Sequence, residues 1–96
     1  MQTWELTAHG RVQGVGFRWH AWHCAKKHSV LGYVRNQSDG SVLIIAQADK
    51  SILENYIMDL QISSGRAHVR SLERVILNTT KRYNDFEIRY RSNKRI

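Results

Sequence analysis

The stretch "GRVQGVGFR", Gly10–Arg18, gathers three of the six glycines of a 96-residue chain and closes on an arginine. What flanks it decides the fold. Upstream, "TWELTAHG" alternates, with Trp4, Leu6 and Ala8 on one side and Thr3, Glu5, Thr7 and His9 on the other. That is a strand with one buried face. Downstream, Phe17, Ala21, Cys24, Ala25 and His28 recur at spacings of three and four, so a helix runs from Arg18 to about His28. The glycines therefore lie where a strand hands over to a helix. Amides at that junction have no intrahelical acceptor, and the helix dipole adds positive potential there. Glycine lets the backbone curl until several N–H groups converge on one point. A tight turn is the plain reading of such a loop, and an anion cradle is the chemical one. Arg18 supplies a planar fork able to hold two phosphate oxygens at once. The stretch lacks both the Gly-Lys-Ser/Thr ending of one common phosphate loop and the glycine spacing of the dinucleotide fingerprint.

Beyond the helix, "VLGYVRN" reads as a second strand ending at Asn36, "QSDG" as a turn and "SVLIIAQ" as a third, central strand. "SILENYIMDLQIS" carries Leu53, Tyr56, Ile57 and Leu60 on one helical face. Ser51 and Glu54 offer it a capping box, with Asp49 a competing N-cap. "AHVRSLERVILN" is a fourth strand whose alternation slips near Ser71-Leu72, which points to a bulge. "DFEIRY" is a short last strand with Phe86, Ile88 and Tyr90 facing one way. Two right-handed crossovers turn this order into a ferredoxin-like βαββαβ sandwich of the α+β class, an antiparallel sheet with both helices on one face.

Composition narrows the setting. The length suits one domain spanning 1–96, with 91–96 a basic, fraying tail. No apolar run is long enough for a membrane span, and the N-terminus has no secretory pattern. Cys24 is the only cysteine, which excludes an internal disulfide and fits a cytoplasmic protein. The net charge of +7 favours anionic partners. Nucleic-acid binding fits poorly, because "SVLIIAQ" has none of the aromatics that RNA-binding members of this architecture show on the third strand. His20, His23, Cys24 and His28 share helical spacings, but no acidic or paired cysteine ligand completes a metal site, so packing and surface roles are expected. Cys24 reads as a small core residue.

"GRVQGVGFR" followed by "GYVRNQSDGSV" resembles the two signature segments of the acylphosphatase family, and the similarity continues through "SILENYIMDL" to "DFEIRY". The resemblance implies the same ferredoxin-like fold and the hydrolysis of acyl phosphates to carboxylate and inorganic phosphate. It implies that Arg18 and Asn36 are catalytic. The loop Gln13, Gly14, Val15, Gly16, Phe17 and Arg18 would bind the phosphoryl group, or a phosphate or sulfate ion. It implies no metal and no other cofactor, and a small-molecule acyl phosphate as partner; a monomer is expected because no long apolar patch demands a partner. A carboxylate leaving group has a conjugate-acid pKa of about 4, so it departs without protonation. That agrees with a loop holding no Asp, Glu or His. A phosphate-binding module, or a domain that handles carbamoyl phosphate as in large hydrogenase-maturation proteins, would carry similar segments. The chain departs from the family pattern at Ser29 and after "LIIAQ", where glycines are common. It also has Ser64-Gly65-Arg66 where Gly-Pro is usual.

Overall fold

A computed structural model describes residues 1–62 and 65–90; the expected basic tail and Ser64 lie outside the described residues. Trp4, Leu6 and Ala8 are fully buried along β1 (Gln2–Arg11), as the alternation of that strand requires. The chain then forms α1 (Phe17–His28), β2 (Leu31–Asn36), β3 (Val42–Ala48), α2 (Lys50–Leu60), β4 (His68–Leu77) and β5 (Phe86–Arg89). The sheet order is β4-β1-β3-β2-β5. Its first four strands pair antiparallel, which is the ferredoxin-like arrangement. The fifth departs from the expected all-antiparallel sheet: β5 pairs parallel to β2, Gly32 opposite Phe86 and Arg35 opposite Arg89. The physical reason is the route of the chain. β4 lies at one edge, so the segment after it must traverse the sheet to reach the opposite edge at β2, and it arrives running the same way as β2.

One core forms between the sheet and both helices. Phe17, Ala21, Cys24 and Ala25 from α1 meet Leu53, Tyr56 and Leu60 from α2 over Trp4, Leu6, Ile44, Val34 and Phe86. The Tyr56 hydroxyl donates to the carbonyl of Ala21 at 3.1 Å, so its polar end is satisfied inside the core. β3 is buried at every position, as expected for a central strand. Its outward-facing Gln47 donates to Thr3 Oγ1 and to the Lys81 carbonyl, and accepts from the Tyr83 amide. That one amide group ties the traversing segment before β5 to the back of the sheet.

Helix boundaries refine the sequence reading. Asp49, not Ser51, is the residue before α2, and the Leu53 amide donates to the Asp49 carbonyl at 3.0 Å. The slip in β4 is a bulge at Arg70: His9 pairs with Ser71 and Gly10 with Val69, which leaves Arg70 without a partner in the register.

Ser29 ends α1 with φ 60° and ψ 42°, the only non-glycine at positive φ among the described residues. Val30 N–H donates to the Ala25 carbonyl at 2.8 Å and Ser29 N–H to Lys26 at 3.3 Å, which is a Schellman closure. Left-handed backbone costs a side-chain-bearing residue roughly 1–2 kcal/mol, part of which glycine's greater freedom in the unfolded chain offsets. Ser29→Gly is therefore expected to stabilise the protein by about 0.5–1 kcal/mol. A higher urea midpoint at unchanged m-value would show it.

Candidate active site

The loop between β1 and α1 owes its shape to two glycines at positive φ, Gly14 at 75° and Gly16 at 83°. A Cβ at either would meet nothing within 4 Å, so the backbone angle and not space selects glycine. Gly16 is the residue before α1, and its carbonyl accepts the first helical bond, from the His20 amide at 3.1 Å. Among the described residues, no amide from Gln13 to Arg18 donates to a protein acceptor. α1 also has no acidic residue in its first turn. The positive end of the helix is thus neither bonded nor neutralised by described groups.

Side chains orient this loop. Phe17 is buried and Val15 is partly buried against the core, so the apolar members point inward. Gln13 Nε2 donates to the carbonyls of Gln37 at 2.7 Å and Ser41 at 2.8 Å. These carbonyls belong to the turn joining β2 and β3. Within it, Asp39 accepts from both the amide and the hydroxyl of Ser41, and Gln37 N–H donates to Ser41 at 2.9 Å. The side-chain and main-chain bonds from Ser41 hold the Asp39 carboxyl below the usual carboxylate range. Asp39 is a turn residue, as its sequence position suggests.

Arg18 lies at the other side of the loop. Its Nη1 has a long contact of 3.5 Å to the Arg89 carbonyl, and its guanidinium lies 4.9 Å from the Tyr90 ring centroid. Of the five N–H donors of a guanidinium, the others have no described protein acceptor. Asn36 ends β2, opposite Val42. Its Oδ1 is buried and accepts no hydrogen bond from the described residues. Asn36 is bracketed by the two contacts above: its neighbour Gln37 is bonded to Gln13, and its neighbour Arg35 pairs with Arg89, whose carbonyl meets Arg18. Loop, arginine and asparagine are therefore brought to one end of the sheet.

A model of the acylphosphatase family matches residues 4–88. The chain belongs to the acylphosphatase family. An acylphosphatase from Lactobacillus johnsonii is 38% identical over 91 residues, covering 94% of this chain and all of the relative. The crystal structure of the Bacillus subtilis acylphosphatase superposes with a TM-score of 0.89 at 29% identity, over 94% of this chain and 100% of that one. The T. kodakarensis HypF structure superposes with a TM-score of 0.85 at 25% identity, over 96% of this chain but only 12% of that one. Family and neighbours make this an acylphosphatase, an enzyme acting on small acyl phosphates.

The residues outside the loop take structural positions. His20 contacts the Cys24 sulfur at 3.8 Å and the Leu60 carbonyl at 3.2 Å. His23 packs on Trp19 and Trp22. His28 bonds Asp59 at 2.9 Å. Burial raises the Cys24 thiol above its ordinary range, which keeps it protonated and inert. Among the described residues, no three His, Cys, Asp or Glu side chains gather as a metal-binding group.

Sequence reading missed two contributors. The Gln13 side chain was overlooked in favour of its amide, and Tyr90 was assigned only to the last strand. Neither partnership has a local signal, since Gln13 and Gln37 are far apart in sequence, as are Arg18 and Tyr90.

Two expectations follow from this geometry. Gln13→Ala removes two hydrogen bonds, each worth about 0.5–1.5 kcal/mol, so denaturant unfolding should show a loss of about 1–3 kcal/mol. The Asp39 folded-state pKa is depressed, so its contribution is present above the unfolded value and is lost as pH falls through the folded one. Amide resonances of Gln37–Ser41 should stay native-like from pH 7 to about 4, near the ordinary Asp value, and move only below it.

Proposed function

We propose that hydrolysis proceeds by direct attack of water on phosphorus, with the Gln13–Arg18 amides and the Arg18 guanidinium binding the phosphoryl oxygens and Asn36 orienting the water. The observation that carries this reading is the pairing of two unmet needs at one end of the sheet. The run of amides without protein acceptors is open to an anion, and the buried Asn36 Oδ1 has no donor among the described residues. The Asn36 carboxamide, at the end of β2 beside that loop, places the water for in-line attack on phosphorus.

The transition state of phosphoryl transfer is loose, so positioning and charge stabilisation do most of the catalysis. The Arg18 guanidinium serves as a fixed charge. Asn36 cannot take up a proton at neutral pH, so the water's proton passes to a phosphate oxygen of the substrate. The carboxylate leaves unprotonated, which spares the site a general acid. No covalent intermediate forms and no metal ion is called for. The same reading makes the chain a one-domain, cytoplasmic monomer. A single, buried cysteine supports the reducing compartment.

A second reading, a module specialised for carbamoyl phosphate, comes from the resemblance of the signature segments, and the likeness to a 12% portion of HypF is compatible with it. Comparing carbamoyl with benzoyl phosphate separates the two: an acylphosphatase of broad acyl range turns over both.

Turnover of benzoyl phosphate in EDTA tests the mechanism. Arg18→Ala and Asn36→Ala are each expected to lower kcat/KM by about two orders of magnitude or more while near-UV circular dichroism stays native. A folded variant of either residue with near-normal turnover contradicts the role given to it.

A further inference from the structure

We propose that the cleft at the β4 bulge is a second anion subsite, which takes a phosphate or carboxylate group beside the phosphoryl cradle. Two adjoining hollows form it. One of about 440 Å3 is lined by Gly10, Arg11, His68 and Arg70. The other, of about 170 Å3, is lined by His9, Gly10, Asp39, Gly40, Ser41 and Arg70. Gly10 and Arg70 are common to both.

The fold builds this cleft deliberately enough to be traced. Arg70 is the extra residue of the bulge, set between Val69 opposite Gly10 and Ser71 opposite His9. A bulge re-aims the side chain it carries. Gly10 brings the two main chains together: a Cβ there would lie 2.5 Å from the His68 carbonyl and 2.7 Å from the Arg70 amide. With no side chain on Gly10, the floor is bare backbone, flanked by two guanidinium groups.

The charges there are left over. Arg11 and Arg70 form no ion pair among the described residues. Glu73 is engaged with His9 at 3.2 Å, while Asp39 lines the smaller hollow and keeps its charge there, so the anion's place is the larger hollow, which no carboxylate lines. Uncommitted arginine forks suit phosphate and carboxylate oxygens. The cleft also adjoins the cradle. Ser41 lines the smaller hollow, and its carbonyl accepts from Gln13 of the cradle loop. The chemistry admits two sources: a distal anionic group on the acyl part of a substrate, or a free anion such as the phosphate product.

This inference rests on the acylphosphatase mechanism above, and wild-type turnover of benzoyl phosphate reports on that mechanism separately. Steady-state kinetics would compare benzoyl phosphate with 4-carboxybenzoyl phosphate and adipoyl monophosphate, in wild type, Arg70→Ala and Lys50→Ala, the last a control for net charge. For a substrate-borne anion, Arg70→Ala raises KM for the two carboxylated substrates about tenfold. It leaves benzoyl phosphate within about twofold, as expected for losing one charge-assisted bond. For a free anion, the substrates respond alike. Inorganic phosphate then shifts the His9 and His68 imidazole resonances saturably in Arg18→Ala, and not in Arg70→Ala. Either pattern supports the subsite. Equal effects of Arg70→Ala and Lys50→Ala overturn it in favour of diffuse charge. So does the absence of both substrate discrimination and phosphate-induced shifts. If Arg70→Ala loses native circular dichroism, Arg70→Gln and Arg11→Gln carry the same comparison.

Discussion

The Gln13 side chain bridges two parts of the fold that sequence separates. Its two bonds, to Gln37 and Ser41, are the described side-chain link between the glycine loop and the turn after β2. The loop cannot supply such a link through its own backbone, because its amides are the groups the chemistry needs free. A main-chain bond there would consume a donor, whereas a carboxamide reaches across and spends none. That single side chain ties the loop to the turn beside Asn36 and so sets, in the proposed mechanism, the space in which a water and a phosphoryl group meet. In that mechanism, catalysis by fixed charges depends on such prior positioning, since no side chain takes up a proton or forms a covalent bond.

The rest of the molecule serves that end of the sheet. Phe17 and Val15 anchor the loop from beneath, so its polar atoms face outward. β5 is short and parallel to β2, yet it carries the Arg89 carbonyl and leads to Tyr90, which flank the Arg18 guanidinium. Its placement depends in turn on Gln47, which holds the crossing segment to the back of the sheet through Lys81 and Tyr83. A carboxamide thus acts as a clamp at each end of the sheet. Both are nearly invisible to hydropathy, since a glutamine in a strand or loop reads as an ordinary surface residue.

What sequence made legible divides along physical lines. Period-two and period-3.6 patterns located β1, α1 and α2, because burial of one face leaves its mark on neighbouring residues, and a continuous apolar run located β3, which is buried on both faces. The bulge was legible as a break in alternation, one residue from where it lies at Arg70. The strained end of α1 was legible at Ser29, where the family pattern has glycine. The direction of β5 was not, because a four-residue strand carries no record of its partner. The two signature segments single out the Gln13–Arg18 loop and Asn36, which the structure brings to one end of the sheet. The partners that hold them were not legible, since Gln13–Gln37 and Arg18–Tyr90 are tertiary contacts with no local spacing to announce them.

The central claim is that the amides Gln13–Arg18 form a ready cradle for a phosphoryl group. Titration of 15N-labelled protein with inorganic phosphate tests it most directly. Such a cradle gives saturable shifts concentrated on the Gln13–Arg18 amides and the Asn36 carboxamide, weakened strongly in Arg18→Ala. Shifts absent from that loop, or unchanged when Arg18 is removed, would contradict it.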